Sequence, residues 1–487
     1  MNFLRFSSGR AICAASIASG LGWLTTAPAV AQTTHRPAAL SLESGRPTPF
    51  ADNNGLVPTK GQYDGPLFKL NPAWPTSALP PIENPPWIAA IHGEKITPEN
   101  AGAYANALRE YISKTGRELV MHYDTWDAVK AHWYNEPWLG SKREAIHGTY
   151  AAGEFGPAIF PDTGLRTTFT TQVLTYYDER AASTLGRIWG QTALKPDVQT
   201  ARTQFDEGSV VVKAAAFTSA DPKQPTDWWD AMKGAQEWPV YISPGAKDPA
   251  APQVWPSYIA QFDIIVKDTK SAPKTGWVFT TLVYDSAAPG DAWDKMIVLG
   301  AQWGNDPQAT KPGDPLVENW INPKAPKYST QTLGWGGRLS GPNDGARNDI
   351  MINGKAEKNA PDSSCMSCHS TAQWNVADHR MLTFLLPSFP QSTPPYFQTS
   401  GQYIVSPEPA SPAWMKWFTN RLGTQPMDEG SVATDFDEVT SFKSLGLWWQ
   451  AVGPQPASAV LTAAPNTPAV RYNEYNGAPI PDSAAGQ

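Results

Sequence analysis

The chain has 487 residues, of which 17% are charged and 41% apolar, with a formal charge of −7. An acidic balance argues against a nucleic-acid partner and against an anionic membrane surface. With 47 prolines, 38 glycines and 21 tryptophans but so few charges, the composition suits a loop-rich, β-containing protein better than a helical bundle.

The first 31 residues read as a secretory signal. Arg5 and Arg10 precede an apolar run, residues 11–24, that is too short to span a bilayer comfortably. "APAVAQ" then offers a small-x-small site, with cleavage expected after Ala31. Removing Arg5 and Arg10 takes the formal charge from −7 to −9. No later segment is long and apolar enough for a membrane span, so the mature chain is expected to be exported, soluble and periplasmic.

Residues 32–96 are rich in proline and little helix is expected there. They read as an extended arm wrapped on the body, with Trp74 and Trp87 buried. Residues 97–164 read as a helical N-terminal region. Its first helix is predicted over 98–115, with Thr97 as cap, Pro98 at the first position and Gly116 as terminator. A second short helix is expected in "TWDAVKAHWY" (125–134).

The middle changes character. "TFTTQVLTYY" (168–177) reads as a strand, and Asp178 as the cap of a helix "ERAASTLGRIW" (179–189). "GSVVVKAAAF" (208–217) reads as a strand behind a glycine. Residues 258–268 and 276–285 read as paired strands joined by the turn-forming "TKSAPKT". Residues 334–349 are mostly turns, and "AQWNVADHRMLTFLL" (372–386) is expected to be helical up to Pro387. Residues 391–487 read as a C-terminal extension, with a poorly ordered tail from about 454.

Two of the three cysteines lie three apart in "SSCMSCHS" (363–370), with a histidine directly after; the third, Cys13, belongs to the signal. On a helical turn Cys365, Cys368 and His369 share one face. Two thiols then reach the vinyl groups of a haem while the imidazole reaches its iron, and C-x-x-C-H is the signature of that attachment. The alternatives are a structural disulfide, which does not need the histidine, and a redox dithiol, which wants a thioredoxin-like βαβ setting. A zinc site is a third, and His379 is at best a distant further ligand for it.

Several segments together resemble the cytochrome P460 and cytochrome c′-beta family of β-rich monohaem proteins. They are "FDEGSVVVK" (205–213), "VKDTKSAPKTGWVF" (266–279) and "CMSCH" (365–369), in that order. The resemblance covers residues 165–390, interrupted by insertions around 227–234 and from about 286 to 362. It implies an α+β fold, a β-rich P460/c′-beta-like haem domain enlarged by the arm, a few helices and long loops. It also implies one covalent haem c with His369 as proximal iron ligand, and it places Lys213 beside the haem. In the P460 branch the matching lysine is joined to the macrocycle; in the c′-beta branch it is not. A free Lys213 holding a haem propionate is the expectation here. P460 chemistry also uses an arginine on the strand before the Asp-led helix, and 168–177 has none, the nearest being Arg166.

A sixth iron ligand would come from a methionine downstream. Met427, in the loop-like "TQPMDEG", is the first candidate, whereas Met415 in "PAWMKWF" reads as core. The proline-rich 387–412 makes a small helical cytochrome hard to build, so an open or weakly ligated iron is expected. His122, His132, His147 and His379 read as ordinary surface or core residues. The expected function is haem-based redox chemistry or electron transfer in the periplasm, with a redox partner protein or a small-molecule ligand. The alternatives are oxidation of hydroxylamine or a related small nitrogen compound, and nitric oxide binding.

Overall fold

Alternating side chains on long β-branched and aromatic strands build most of the molecule. The computed structural model describes residues 48–75, 77–219, 228–243, 252–389 and 399–453, all belonging to one compact unit. The expected signal (1–31), the first part of the arm and the tail beyond 453 lie outside the described residues.

Nine strands form the main sheet. They are β1 (Trp133–Tyr134), β2 (Tyr150–Phe155), β3 (Phe169–Asp178), β4 (Val210–Ser219), β5 (Glu237–Ile242), β6 (Gln253–Lys267), β7 (Trp277–Tyr284), β8 (Met296–Gln302) and β9 (Asn319–Ile321). Their order is β1-β3-β4-β6-β7-β8-β9, with β2 also on β3 and β5 also on β6, and every pairing is antiparallel. Further along come β10 (Arg347–Ile352), β11 (Lys355–Pro361), β12 (Gln373–Asn375), β13 (Thr399–Ser400), β14 (Tyr403–Val405) and β15 (Ser431–Ala433). β11-β10-β14-β13 make a small sheet, and β12 pairs with β15. The fold is thus mixed α and β, mainly antiparallel, with few helices.

Each main strand divides its side chains between two cores, because successive residues point to opposite faces. Val210, Val212 and Ala214 of β4 join Phe262, Ile264 and Val266 of β6 in one apolar cluster, which the helix Ala101–Met121 covers with Tyr104, Leu108 and Ile112. On the other face the helix Glu179–Trp189 and the motif helix Cys365–His369 pack with Tyr177, Trp277 and Phe279. Asp178 caps Glu179–Trp189 as expected, accepting from the Ala181 N–H at 2.7 Å. The two Trp residues of the arm are buried, Trp87 on a single helical turn, Pro86–Ala89, with proline at its start.

Three local expectations fail. The first helix starts after Asn100 and runs through Gly116 to Met121, because the Trp293 ring lies over a position where only hydrogen fits. "TWDAVKAHWY" is turns leading into β1, so residues 97–164 supply two strands to the main sheet and are not a separate helical region. Residues 372–386 are not helical: β12 pairs with β15 there, a contact made 55 residues and more along the chain. The insertion expected over 286–362 carries β8 to β11, two of them in the main sheet.

Candidate functional site

The main sheet's antiparallel register sets Thr175, Lys213, Asp263 and Thr281 side by side in one cross-strand row. The next row on the same face is Tyr177, Val211, Ile265 and Phe279. Residues of both rows floor a cavity of about 1050 Å³, its open mouth included. Its walls come from Cys365, Cys368 and His369 on one side and from residues 435–439, Phe442 and Lys443 on another. The lining is mostly apolar, with Phe205, Trp277 and Phe436 among the aromatic rings.

The motif helix is only five residues long, so its ends are held by side chains. Ser364 caps it: its hydroxyl accepts from the Ser367 N–H at 3.2 Å, and the Ser367 hydroxyl accepts from the Ser364 N–H at 2.8 Å. The Met366 N–H donates to Gln302 at the end of β8, and the Cys365 N–H to the Leu339 carbonyl. Met366 is fully buried, which turns the cysteines toward the cavity. Gly334 permits the close approach of the preceding loop, since a Cβ there would lie 1.9 Å from the Ser363 carbonyl oxygen.

His369 is oriented from behind. Its Nδ1 lies 2.8 Å from the Phe436 carbonyl, which can only accept, so Nδ1 carries the proton and Nε2 keeps the lone pair. Its ring also packs on Phe279, with centroids 4.7 Å apart. Burial holds the imidazole neutral, down to about 4, with the Phe436 hydrogen bond opposing. Both cysteines are free. Burial, then the Asp344 and Asp263 carboxylates, hold the Cys365 thiol well above its ordinary value; burial and then Glu438 push Cys368 up. Such thiols are not the activated thiolates of a redox dithiol.

Lys213 lies on the cavity face, 8% exposed, so it is not a solvated strand residue. Its ammonium sits 2.9 Å from Asp263 and 3.0 Å from Asp344. Gln261 donates to both carboxylates as well. Burial raises Asp263; in Asp344 burial is outweighed by Lys213 and by the hydrogen bonds of Gly341 and Gln261, and its carboxyl lies low. The charge of Lys213 is therefore met within the protein by these two carboxylates.

Met427 is not brought to this site. It packs with Trp335, Met381 and Phe418 in a neighbouring apolar cluster, and among the described residues no methionine lines the cavity. His379 stacks on Trp449, centroids 3.6 Å apart, and is not among the cavity residues. His147 is buried between Tyr123 and Trp238, with Nδ1 2.7 Å from the Pro239 carbonyl; His122 and His132 are exposed. Among the described residues no group of three or more His, Cys, Asp or Glu is arranged to hold a metal ion, so a zinc site has no ligand set.

The residues that sequence reasoning missed are Asp344 and the wall 435–443. Asp435 accepts from Trp277 Nε1 at 2.7 Å and pairs with Lys267 at 2.6 Å, fixing the wall against β6 and β7. Its backbone and that of Phe436 take left-handed conformations, φ +50° and +69°, which carry the chain round the motif helix. Asp435 is of a type that tolerates this conformation, but Phe436 is not, so no local signal marks the pair. Set against protein-family models, curated proteins and solved structures, the chain matches none of them.

Proposed function

We propose that this is a c-type haem protein that holds one covalent haem in the cavity floored by β4, β6 and β7. Cys365 and Cys368 would supply the two thioether bonds and His369 the axial imidazole. The observation that carries the reading is the state of His369. A histidine that ligates a metal through one nitrogen usually gives its other N–H to a backbone carbonyl, a carboxylate or water, which fixes the ring and the tautomer. His369 gives Nδ1–H to Phe436 while lining an apolar cavity beside both motif cysteines. The donor set also fits: one neutral imidazole and two thiols suit a haem, which brings its own four nitrogens.

The haem would supply iron redox chemistry; the chain's own residues would bind it and orient it. The absence of methionine from the lining favours an open sixth position over a methionine-ligated electron carrier. On this reading a small ligand such as nitric oxide or hydroxylamine reaches the iron. The likeness to the P460 and c′-beta family belongs to the same proposal. It is supported by the meeting of Lys213, the β6–β7 hairpin and the motif in one cavity. Between two carboxylates Lys213 is an ammonium rather than a nucleophilic amine, which favours the c′-beta branch, without a lysine–haem bond. Export through residues 1–31 completes the reading, since bacterial c-type haem is attached outside the cytoplasm.

The test is expression with c-type haem maturation. The wild type should keep its haem through denaturation, and Cys365→Ala with Cys368→Ala should lose it. The ferrous protein should be high-spin and bind carbon monoxide. Release of all haem on denaturation sinks the proposal; a low-spin ferrous spectrum removes the open site from it. A digest in which residues around 213 and around 365–369 share one haem overturns the assignment of Lys213.

A further inference from the structure

At the cavity wall a short polar chain leads inward from Asp437 to a carboxyl that the cavity does not reach. Asp437 lines the cavity, whereas Glu136 is 1% exposed and lies behind it. Thr440 stands between them. Its hydroxyl oxygen is 2.7 Å from Asp437 Oδ2 and also hydrogen-bonded to Glu136 Oε1. The outer oxygens are occupied by donors: Trp189 Nε1 donates to Glu136 Oε2 at 2.7 Å, and Tyr177 OH donates to Asp437 at 3.0 Å.

Proton counting decides what this chain holds. A threonine hydroxyl has one hydrogen. If both carboxyls were ionised, Thr440 would satisfy one of them and face the other lone pair to lone pair. The contacts are complete only if one carboxyl is itself protonated and donates to Thr440. We propose that Glu136, Thr440 and Asp437 hold one shared proton and pass it between the buried carboxyl and the cavity wall. The step is balanced within the chain: the Glu136 O–H bond breaks as its proton bonds to Thr440 Oγ, and the Thr440 hydroxyl proton moves to Asp437. Glu136 becomes a carboxylate, Asp437 a carboxylic acid, and no electrons move. Charge appearing in the cavity is thereby met by a proton without water entering.

The surroundings are consistent with a retained proton. Burial first, then Asp437, holds Glu136 well above the ordinary carboxylate range, and burial raises Asp437 as well. The other titratable groups nearby are Tyr177, Tyr150, Glu438, Lys443 and Arg143. The hydrogen bonds of Thr440, Trp189 and Ser444 oppose protonation of Glu136, and Arg143 lies beside its backbone. Its Nη2 donates to the Glu136 backbone carbonyl at 2.8 Å, and its Nη1 is buried without a partner. Arg143 also lines a small cavity with Glu136, Tyr150 and Tyr177.

This inference rests on the haem reading only for what the proton answers to, and the experiment separates the two. Infrared spectra of the purified protein should show the carbonyl stretch of a protonated carboxylic acid at pH 7. Glu136→Gln should remove that band, and Asp437→Asn should move its disappearance to lower pH. In the haem-loaded protein the midpoint potential should fall with rising pH over the range in which the band is lost, and both variants should flatten that slope. No protonated carboxyl band in the wild type, or a band untouched by Glu136→Gln, overturns the shared proton. A band with a pH-independent potential overturns its link to the cavity. A protein that takes up no haem but shows the band refutes the function proposed above and leaves the proton pair established.

Discussion

Within β4, Val210, Val212 and Ala214 face an apolar core, while Val211 and Lys213, one residue out of step, face the cavity. The same contrast runs across the sheet. Phe262 and Ile264 of β6 pack beneath the helix Ala101–Met121, whereas Asp263 and Ile265 between them floor the site. One face thus gains stability from close packing, where each methylene counts. The other carries an ionised lysine and two carboxylates at low exposure, tolerable only because each charge has partners. A period of two lets one set of strands serve both ends, with the price of the polar face met by the apolar one.

If that division is right, truncations on the two faces must differ. Phe262 is fully buried and edge-on to Trp293, with centroids 5.2 Å apart. Phe262→Ala should cost about 4 kcal/mol in urea denaturation, because it opens a void in a closed core. Phe279→Ala enlarges a cavity that already opens to solvent and should cost about 2 kcal/mol. Its main effect should fall on His369, against whose ring Phe279 packs. Equal losses from the two variants would break the comparison.

The charged row gives the next test. Lys213→Met leaves Asp263 and Asp344 facing each other without their cation and should cost about 3 kcal/mol. Adding Asp263→Asn removes the repulsion and should restore most of it. If the second substitution restores nothing, the three groups are not a balanced set.

Titration sharpens the contrast, because the packed side also holds an ionisable ring, and holds it neutral. Burial keeps His147 down at about 3, against about 6.5 unfolded. Between those values the unfolded chain binds a proton that the folded one refuses, so stability falls as pH drops below 6.5. From pH 7 to pH 5 the share of His147 in the change should be about 2 kcal/mol, read as the difference between the wild-type and His147→Gln urea midpoints across that window. His147→Gln should flatten that segment of the profile; an unchanged slope would assign the acid sensitivity elsewhere.

Strands β3, β4, β6 and β7 were legible in the sequence because their signals are local. Alternation, the Asp178 cap and the turn between β6 and β7 lie within about ten residues of what they specify. The motif helix was legible for the same reason, whereas Lys213 was expected beside a haem only from the resemblance; the alternation of its strand puts it on the cavity face. Asp344, Asp435 and Asp437 were not legible. Their partners are Lys213, Lys267 and Tyr177, each more than a hundred residues away, and only the folded register brings them together. The failed helix over 372–386 has the same cause, since its apolar residues suit either state and pairing with β15 decides.

Gly116 makes the smallest of these effects and the clearest conflict between local and distant forces. Read locally, a glycine after an amphipathic run ends a helix; here the helix passes through it. In a helix interior, Gly→Ala is worth up to about 1 kcal/mol in favour of alanine. A Cβ at 116 would meet the Trp293 ring at 2.1 Å, closer than any real contact. That ring is held by Ser113, which accepts from its Nε1 at 2.8 Å, and by Phe262, so it has little room to retreat. Overpacking of this kind costs roughly 1–3 kcal/mol. Gly116→Ala should therefore destabilise by about 1 kcal/mol net. In a Trp293→Leu background, with the ring gone, the same change should stabilise. If alanine is favourable in both backgrounds, the helix passes Gly116 for a reason other than the ring that covers it.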